Sequence, residues 1–237
     1  MWIKSQGVVI STIKYGNTSA ICKIFTLHSG LVSFVIKGVY TPKKQGIKPA
    51  VISPLNWVEI EYVLKAHQNF AQLKELHCIQ PAHQAFLCSK KRAASALILE
   101  VMMRCLTDYQ PASDVFELLQ KTLQELEQPE PINAWFVHLF LVELSHILGH
   151  TIQTHSYQEQ SLFDIPEGSF LAHNTQALSQ HCADPRVSAQ LVALVSDPNS
   201  ADIQYRKPLL NLLLQFAHVH FLGSAPLKCI PVFNQTL

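Results

Sequence analysis

The sequence predicts an α+β, multidomain chain: a five-stranded β-barrel over residues 1–80, then an all-α helical domain over residues 81–237. Before about residue 80 the apolar residues fall in short runs rich in Val, Ile and Phe between turn formers, as strands do. After Pro81 they recur at helical spacing, and no glycine occurs between Gly46 and Gly149. Charge separates the same two parts. The first 58 residues hold seven lysines and no Asp or Glu. Residues 1–92 carry twelve Lys and Arg against three Glu, net +9, and the rest carry six against fourteen, net −8, in a chain of formal net charge +1.

The strands are predicted at Gly7–Ile13, Ala20–Leu27, Val32–Lys37, Val51–Leu64 and Phe70–Ile79. The breaks between them have physical causes. Tyr15-Gly16-Asn17-Thr18 and His28-Ser29-Gly30 tolerate positive φ, and Pro42, Gly46 and Pro49 keep a longer connection out of the sheet. Five strands in so short a stretch point to a small barrel, because closure removes exposed edges.

In the second part, a first helix is predicted over Ser89–Asp108 and a second from a Ser113-Asp114 cap through Leu126. Pro131 suits the first turn of a third helix, Ile132–Leu148, which is apolar on nearly every face and stops at Gly149. Residues 150–175 read as a loop with a short hairpin near Glu167-Gly168. Further helices are predicted over Arg186–Ser196 and Tyr205–Leu222.

A one-sided positive field steers polyanions, and phosphate chains are the first to consider. The connection Lys37 to Pro49 carries Lys37, Lys43, Lys44 and Lys48 on a segment too polar for core. With Lys14 and Lys23 these can reach phosphates without reading bases, each contact releasing counterions whatever the sequence. Of the interleaved aromatics Tyr15, Phe25, Phe34, Tyr40 and Trp57, Tyr40 is the preferred base-stacking candidate, because it flanks the basic connection. Lys90-Lys91-Arg92 forms a second basic patch at a helix start, where positive charge opposes the dipole.

Enzyme motifs are missing. Gly38, Gly46 and Lys48 do not have phosphate-loop spacing, and no G-x-S-x-G occurs. His146 and His150 copy the spacing of a zinc helix, but Ile147 stands where its glutamate would be and Gly149 breaks the helix. Cys22, Cys78, Cys88, Cys105, Cys182 and Cys229 are spread singly, which suits free thiols in a reducing compartment. Neither metal nor cofactor is expected. The start lacks the apolar run of a signal peptide, so the expected location is cytoplasmic.

The run Gly7-Val8-Val9-Ile10-Ser11-Thr12-Ile13-Lys14-Tyr15-Gly16-Asn17-Thr18-Ser19, followed by Ile24 to Phe34 and then Lys37-Gly38, resembles the start of the bacterial recombination mediators of the RecO family. The likeness continues through Pro54-Leu55, Val58-Glu59-Ile60-Glu61, Val115 to Leu119, Leu148-Gly149 and the tail Leu227-Lys228-Cys229. It implies an N-terminal oligonucleotide-binding (OB-type) barrel and a helical C-terminal domain. It implies a non-enzymatic protein of DNA repair and recombination that binds single- and double-stranded DNA, anneals complementary strands, and works with RecR and the single-strand DNA-binding protein in loading RecA. Many members hold zinc on four cysteines after the third helix. Here that stretch has His150, His155 and His173 and no cysteine before Cys182, which resembles the zinc-free form, with Phe163, Ile165, Phe170 and Leu171 expected to hold the loop instead.

The expected DNA contacts are therefore Lys14, Lys23, Lys37, Tyr40, Lys43, Lys44, Lys48, Lys90, Lys91 and Arg92. The acidic helical domain is expected to carry the protein-partner surface. The alternative is a protein-interaction adaptor that does not bind DNA.

Overall fold

The architecture was analysed in a computed structural model that describes residues 1–41, 46–65, 69–172 and 182–233. Lys43, Lys44 and His173 lie outside the described residues. The chain divides into two compact units, Met1–Glu130 and Pro131–Leu237.

The first unit is built on a five-stranded antiparallel sheet of β1 (Ile3–Tyr15), β2 (Ser19–Thr26), β3 (Gly30–Ile36), β4 (Trp57–Val63) and β5 (Gln72–Gln80), in the order β3-β2-β1-β4-β5. The 13-residue β1 organises it by pairing with β4 through Ile3–Val8 and with β2 through Gly7–Tyr15. A bulge between Val9 and Ser11 leaves Ile10 without a partner residue on β2 and increases the local twist that curls the sheet. One face packs inward as a core of Val9, Ala20, Cys22, Ile24, Phe34 and Tyr62 with their neighbours. The hydrogen-bonded sheet is not a closed barrel. Among the described residues no ladder joins β3 to β5; the link is Ala71, the residue before β5, whose N–H donates to Ser33 O in the middle of β3 (2.9 Å) beside a parallel Phe34–Ala71 bridge. The five strands and the OB-type class stand; complete closure does not.

Expected and observed boundaries differ where side chains capture backbone groups. The fourth strand begins at Trp57, not Val51, because Pro49–Ile52 forms a 3-10 turn whose Ala50 and Val51 carbonyls accept from Asn56 Nδ2 (2.7 and 3.0 Å), and Leu55 adopts φ 66°. The turn also anchors the sheet, since Thr12 Oγ1 donates to Ile52 O at 2.6 Å.

Two helices complete this unit, α1 (Ser89–Cys105) and α2 (Ser113–Leu126). They cover part of the outer sheet face: Phe116 of α2 meets Phe25 of β2 with ring centroids 5.6 Å apart. α1 stops at Cys105 rather than Asp108, because the next residues turn onto the sheet, where Tyr109 N–H donates to Leu31 O (3.1 Å). Gly30 is obligatory at this junction. Its φ is +64°, and an added Cβ would lie 2.0 Å from Gln110 O.

The second unit centres on α3 (Phe136–Ile147), which has no fully exposed residue before His146. It starts later than Ile132 because Asn133 Oδ1 accepts from Trp135 N–H (2.7 Å) and closes a turn first, leaving Pro131 outside the helix. Gly149 at φ +88° follows its end. A hairpin of β6 (Leu162–Asp164) and β7 (Ser169–Leu171) turns at Gly168, then come α4 (Pro185–Ser196) and α5 (Arg206–Ala217). The predicted last helix is divided: Ile203–Tyr205 is a 3-10 turn, and His218–Leu222 continues α5 as a π-helix. The hairpin is held by aromatic packing, with Phe163 5.1 Å from Phe170 and 5.8 Å from Phe216, and Ile165 is buried. No helix among the described residues is long and apolar enough to cross a membrane.

Candidate nucleic-acid interface

The outer face of β1-β2-β3 changes character along its length. Past the bulge, strand alternation places Ser11, Ile13 and Tyr15 on this face, with Ser11 opposite Lys23 and Lys23 opposite Ser33. The next row is Ile13, Ile21 and Val35. At the other end the same face holds Val8, Phe25 and Leu31, all buried. Ile13 and Tyr15, by contrast, are 58% and 57% exposed. The open end is thus an apolar strip with an aromatic ring and lysines: Lys23 is half-buried within it, and Lys37, one residue beyond β3, is exposed.

Lys14 sits on the opposite side of β1, paired with the core residue Ala20, and is exposed at the rim. Its ammonium lies 5.9 Å from the centroid of the Tyr40 ring, within cation–π range. Tyr40 is held to the β1-β2 hairpin by its N–H, which donates to Thr18 O at 3.0 Å. The turn before it is closed by Thr41, whose Oγ1 and N–H both donate to Gly38 O (2.6 and 3.1 Å). So the structure brings Lys14 and Tyr40 together. Tyr15 is more exposed than Tyr40; the sequence places it in the turn after a strand ending at Ile13, whereas β1 continues through it with alternate residues facing out. Phe25 and Phe34 are fully buried.

Lys48 is exposed before the Pro49 turn, and Lys90 and Arg92 are exposed on the first turn of α1. Lys91 departs from expectation. It is 4% exposed, and its Nζ donates to Leu126 O (2.9 Å) and Gln128 O at the end of α2. Its charge completes a helix C-terminus and is withdrawn from any surface a phosphate could reach. Glu127 finishes the same junction, its carboxylate accepting from the N–H groups of His83, Gln84 and Ala85 at 3.0, 3.0 and 2.9 Å.

The three carboxylates of residues 1–92 share one place. Glu61 lies opposite Glu75 and Glu59 opposite His77, on the outer face of β4-β5. Lys4 pairs with Glu61 on the same face. Lys74 donates to Glu61 at 2.7 Å, and this bond raises the lysine pKa above its ordinary value. The carboxylates of these 92 residues are therefore gathered away from the open end of the β1-β2-β3 face.

Elsewhere the titratable groups look structural. Burial pushes the Cys22 thiol up to about 11 and the Cys105 thiol to about 12. The His146–His150 spacing makes no chelate: His146 Nδ1 bonds Thr151 Oγ1 (2.9 Å) while His150 stacks on His220, 4.6 Å between centroids. Glu143 is half-buried on α3. Among the described residues no three His, Cys, Asp or Glu side chains converge as a metal site would need.

Comparison with known proteins matches the two halves separately. The family model described as Recombination protein O N terminal matches residues 1–82, and that described as Recombination protein O C terminal matches residues 90–190. The DNA repair protein RecO of Flavobacterium psychrophilum is 28% identical, and that of Flavobacterium johnsoniae 27%, each over 99% of both chains. The RecO of Prosthecochloris aestuarii is 28% identical over 63% of this chain and 56% of its own. Two family models in the right order, and relatives aligned end to end, agree with the fold built from the residues: this chain belongs to the RecO family of DNA repair proteins.

Proposed function

We propose that the chain binds single- and double-stranded DNA without regard to sequence, anneals complementary strands, and, with RecR and the single-strand DNA-binding protein, helps load RecA, without catalysing a reaction. One observation carries the DNA reading: the open end of β1-β2-β3, with Lys23 and Lys37 beside exposed Ile13 and Tyr15 on the outer face and Lys14 over Tyr40 at the rim, in a stretch of 92 residues where every acid is gathered on β4-β5. Lysines on flexible stems neutralise phosphates of any sequence, and exposed rings offer faces on which any base can stack. Annealing follows from the same charge, because neutralising two strands at once lowers their mutual repulsion. Lys48, Lys90 and Arg92 extend the phosphate surface in this reading, and Lys43 and Lys44 belong to the same basic connection.

Annealing of two labelled complementary oligonucleotides tests it. The rate should rise severalfold with the protein and fall steeply with salt. A rate no faster than that of free strands would remove annealing from the account and favour an adaptor role.

A further inference from the structure

β5 is an edge strand. It pairs with β4 along one side, and beyond Ala71 its other side faces an open groove of about 670 Å³. Five consecutive residues of β5, from Lys74 to Cys78, line this groove. Since successive side chains point to opposite faces of a strand, that pattern means the backbone edge itself forms one wall. The other wall is the segment 46–51, which brings Ile47 and Val51 beside Leu76 as an apolar floor and Lys48 as an exposed cation. Glu75 and His77, 3.8 Å apart, add a carboxylate and an imidazole. Lys74 is not counted as a ligand group, because its ammonium is held by Glu61 and lies 5.6 Å from the Trp2 centroid.

We infer that this groove holds one unpaired nucleotide of a bound single strand. Its parts match a nucleotide's parts: an apolar floor for a flat ring, strand-edge N–H and C=O groups with Glu75 for a base edge, and Lys48 for a phosphate. The volume falls within the range of about 300–1,000 Å³ common to small-ligand clefts. In sequence, Lys48 belongs to the basic connection that follows Tyr40. A base in a duplex has its edge already paired and does not enter. The groove therefore gives preference for single over double strands, a distinction phosphate contacts alone do not make. This inference rests on the DNA-binding reading above.

The test uses the full chain and three fluorescent probes: a single-stranded 20-mer, the same strand with abasic sites, and its duplex. Val51→Asn replaces part of the apolar floor with an amide. It should weaken binding of the intact single strand about tenfold, the scale of a lost apolar contact. Affinity for the duplex should stay within about twofold, and the difference between intact and abasic strands should vanish. Cys78 gives a second readout in the unmodified protein: the intact single strand should slow its alkylation severalfold and the duplex should not. Equal losses on single strand and duplex, or no loss on either with unprotected Cys78, would overturn the groove while leaving the DNA reading in place. Failure of the unmodified chain to bind any probe would overturn both. An extended peptide pairing with β5 would appear as Cys78 protection by peptide and none by DNA, and would also overturn the inference.

Discussion

Lys91→Met separates a structural cation from its two cationic neighbours. Lys91 Nζ donates to the Leu126 and Gln128 carbonyls with the side chain 4% exposed. A hydrogen bond from a charged donor contributes about 1.5–3 kcal/mol, and a buried carbonyl left without a partner costs about 1–3 kcal/mol. Methionine also removes the cost of burying an ammonium, which offsets part of the loss. The net destabilisation should be about 3 kcal/mol, or a fall in Tm of about 6–12 °C for a chain of this size. Circular dichroism melts and urea titration would measure it. Lys90→Met and Arg92→Met, both exposed, should stay within about 0.5 kcal/mol of the unmodified protein. On single-stranded DNA each of these two should flatten the salt dependence by about 0.7 in slope, whereas Lys91→Met, assayed where it is folded, should leave it unchanged. A Lys91→Met protein of undiminished stability with a reduced salt slope would refute the assignment and return Lys91 to the DNA surface.

Gly30→Ala should destabilise by on the order of 3 kcal/mol, because it combines a left-handed backbone with a Cβ 2.0 Å from Gln110 O, and urea midpoints would show it. Stability should also fall with acid. The ring of His138, 1% exposed, bonds Arg206 O through Nε2 and leaves Nδ1 buried without a partner among the described residues, and burial holds its pKa down to about 4 against an ordinary 6.5. The unfolded chain then binds the proton first, so this contribution is intact above about pH 6.5 and is lost progressively as pH falls toward 4, up to about 3 kcal/mol. Urea titrations from pH 7 to 5 should show that slope, and His138→Gln should flatten it. Among thiols, exposed Cys88 should react first with a maleimide at pH 7, and Cys22, fully buried with its pKa raised to about 11, should react only on unfolding; early labelling of Cys22 would contradict the core described.

The strand half of the fold was legible because turn residues and alternation act locally. Tyr15-Gly16-Asn17-Thr18 and His28-Ser29-Gly30 mark the β1-β2 and β2-β3 connections, and Glu59-Ile60-Glu61 already shows which residues of β4 face out. What local pattern could not show depended on distant partners. The fourth strand looked longer because Val51 and Ile52 read as strand, whereas Asn56 and Thr12 hold them in a turn. Lys90-Lys91-Arg92 looked uniform, and only the position of the α2 C-terminus distinguishes the middle residue. The Lys14–Tyr40 pairing spans two connections and has no sequence signature. Tyr15 read as turn because it adjoins Gly16-Asn17, and its outward register shows only once β1 is seen to continue through it.

The most direct test of the central claim is the salt dependence of affinity for a labelled single-stranded oligonucleotide, measured by anisotropy for the unmodified chain and for Lys14→Ala/Lys23→Ala/Lys37→Ala. If about five phosphates are neutralised, log affinity should fall with log salt at a slope of about −3 to −4, independent of base sequence, and the triple variant should lose about 2 of that slope. A flat response in the unmodified chain, or the same slope in both proteins, would contradict the assignment of the open end of β1-β2-β3 and its rim as the DNA surface.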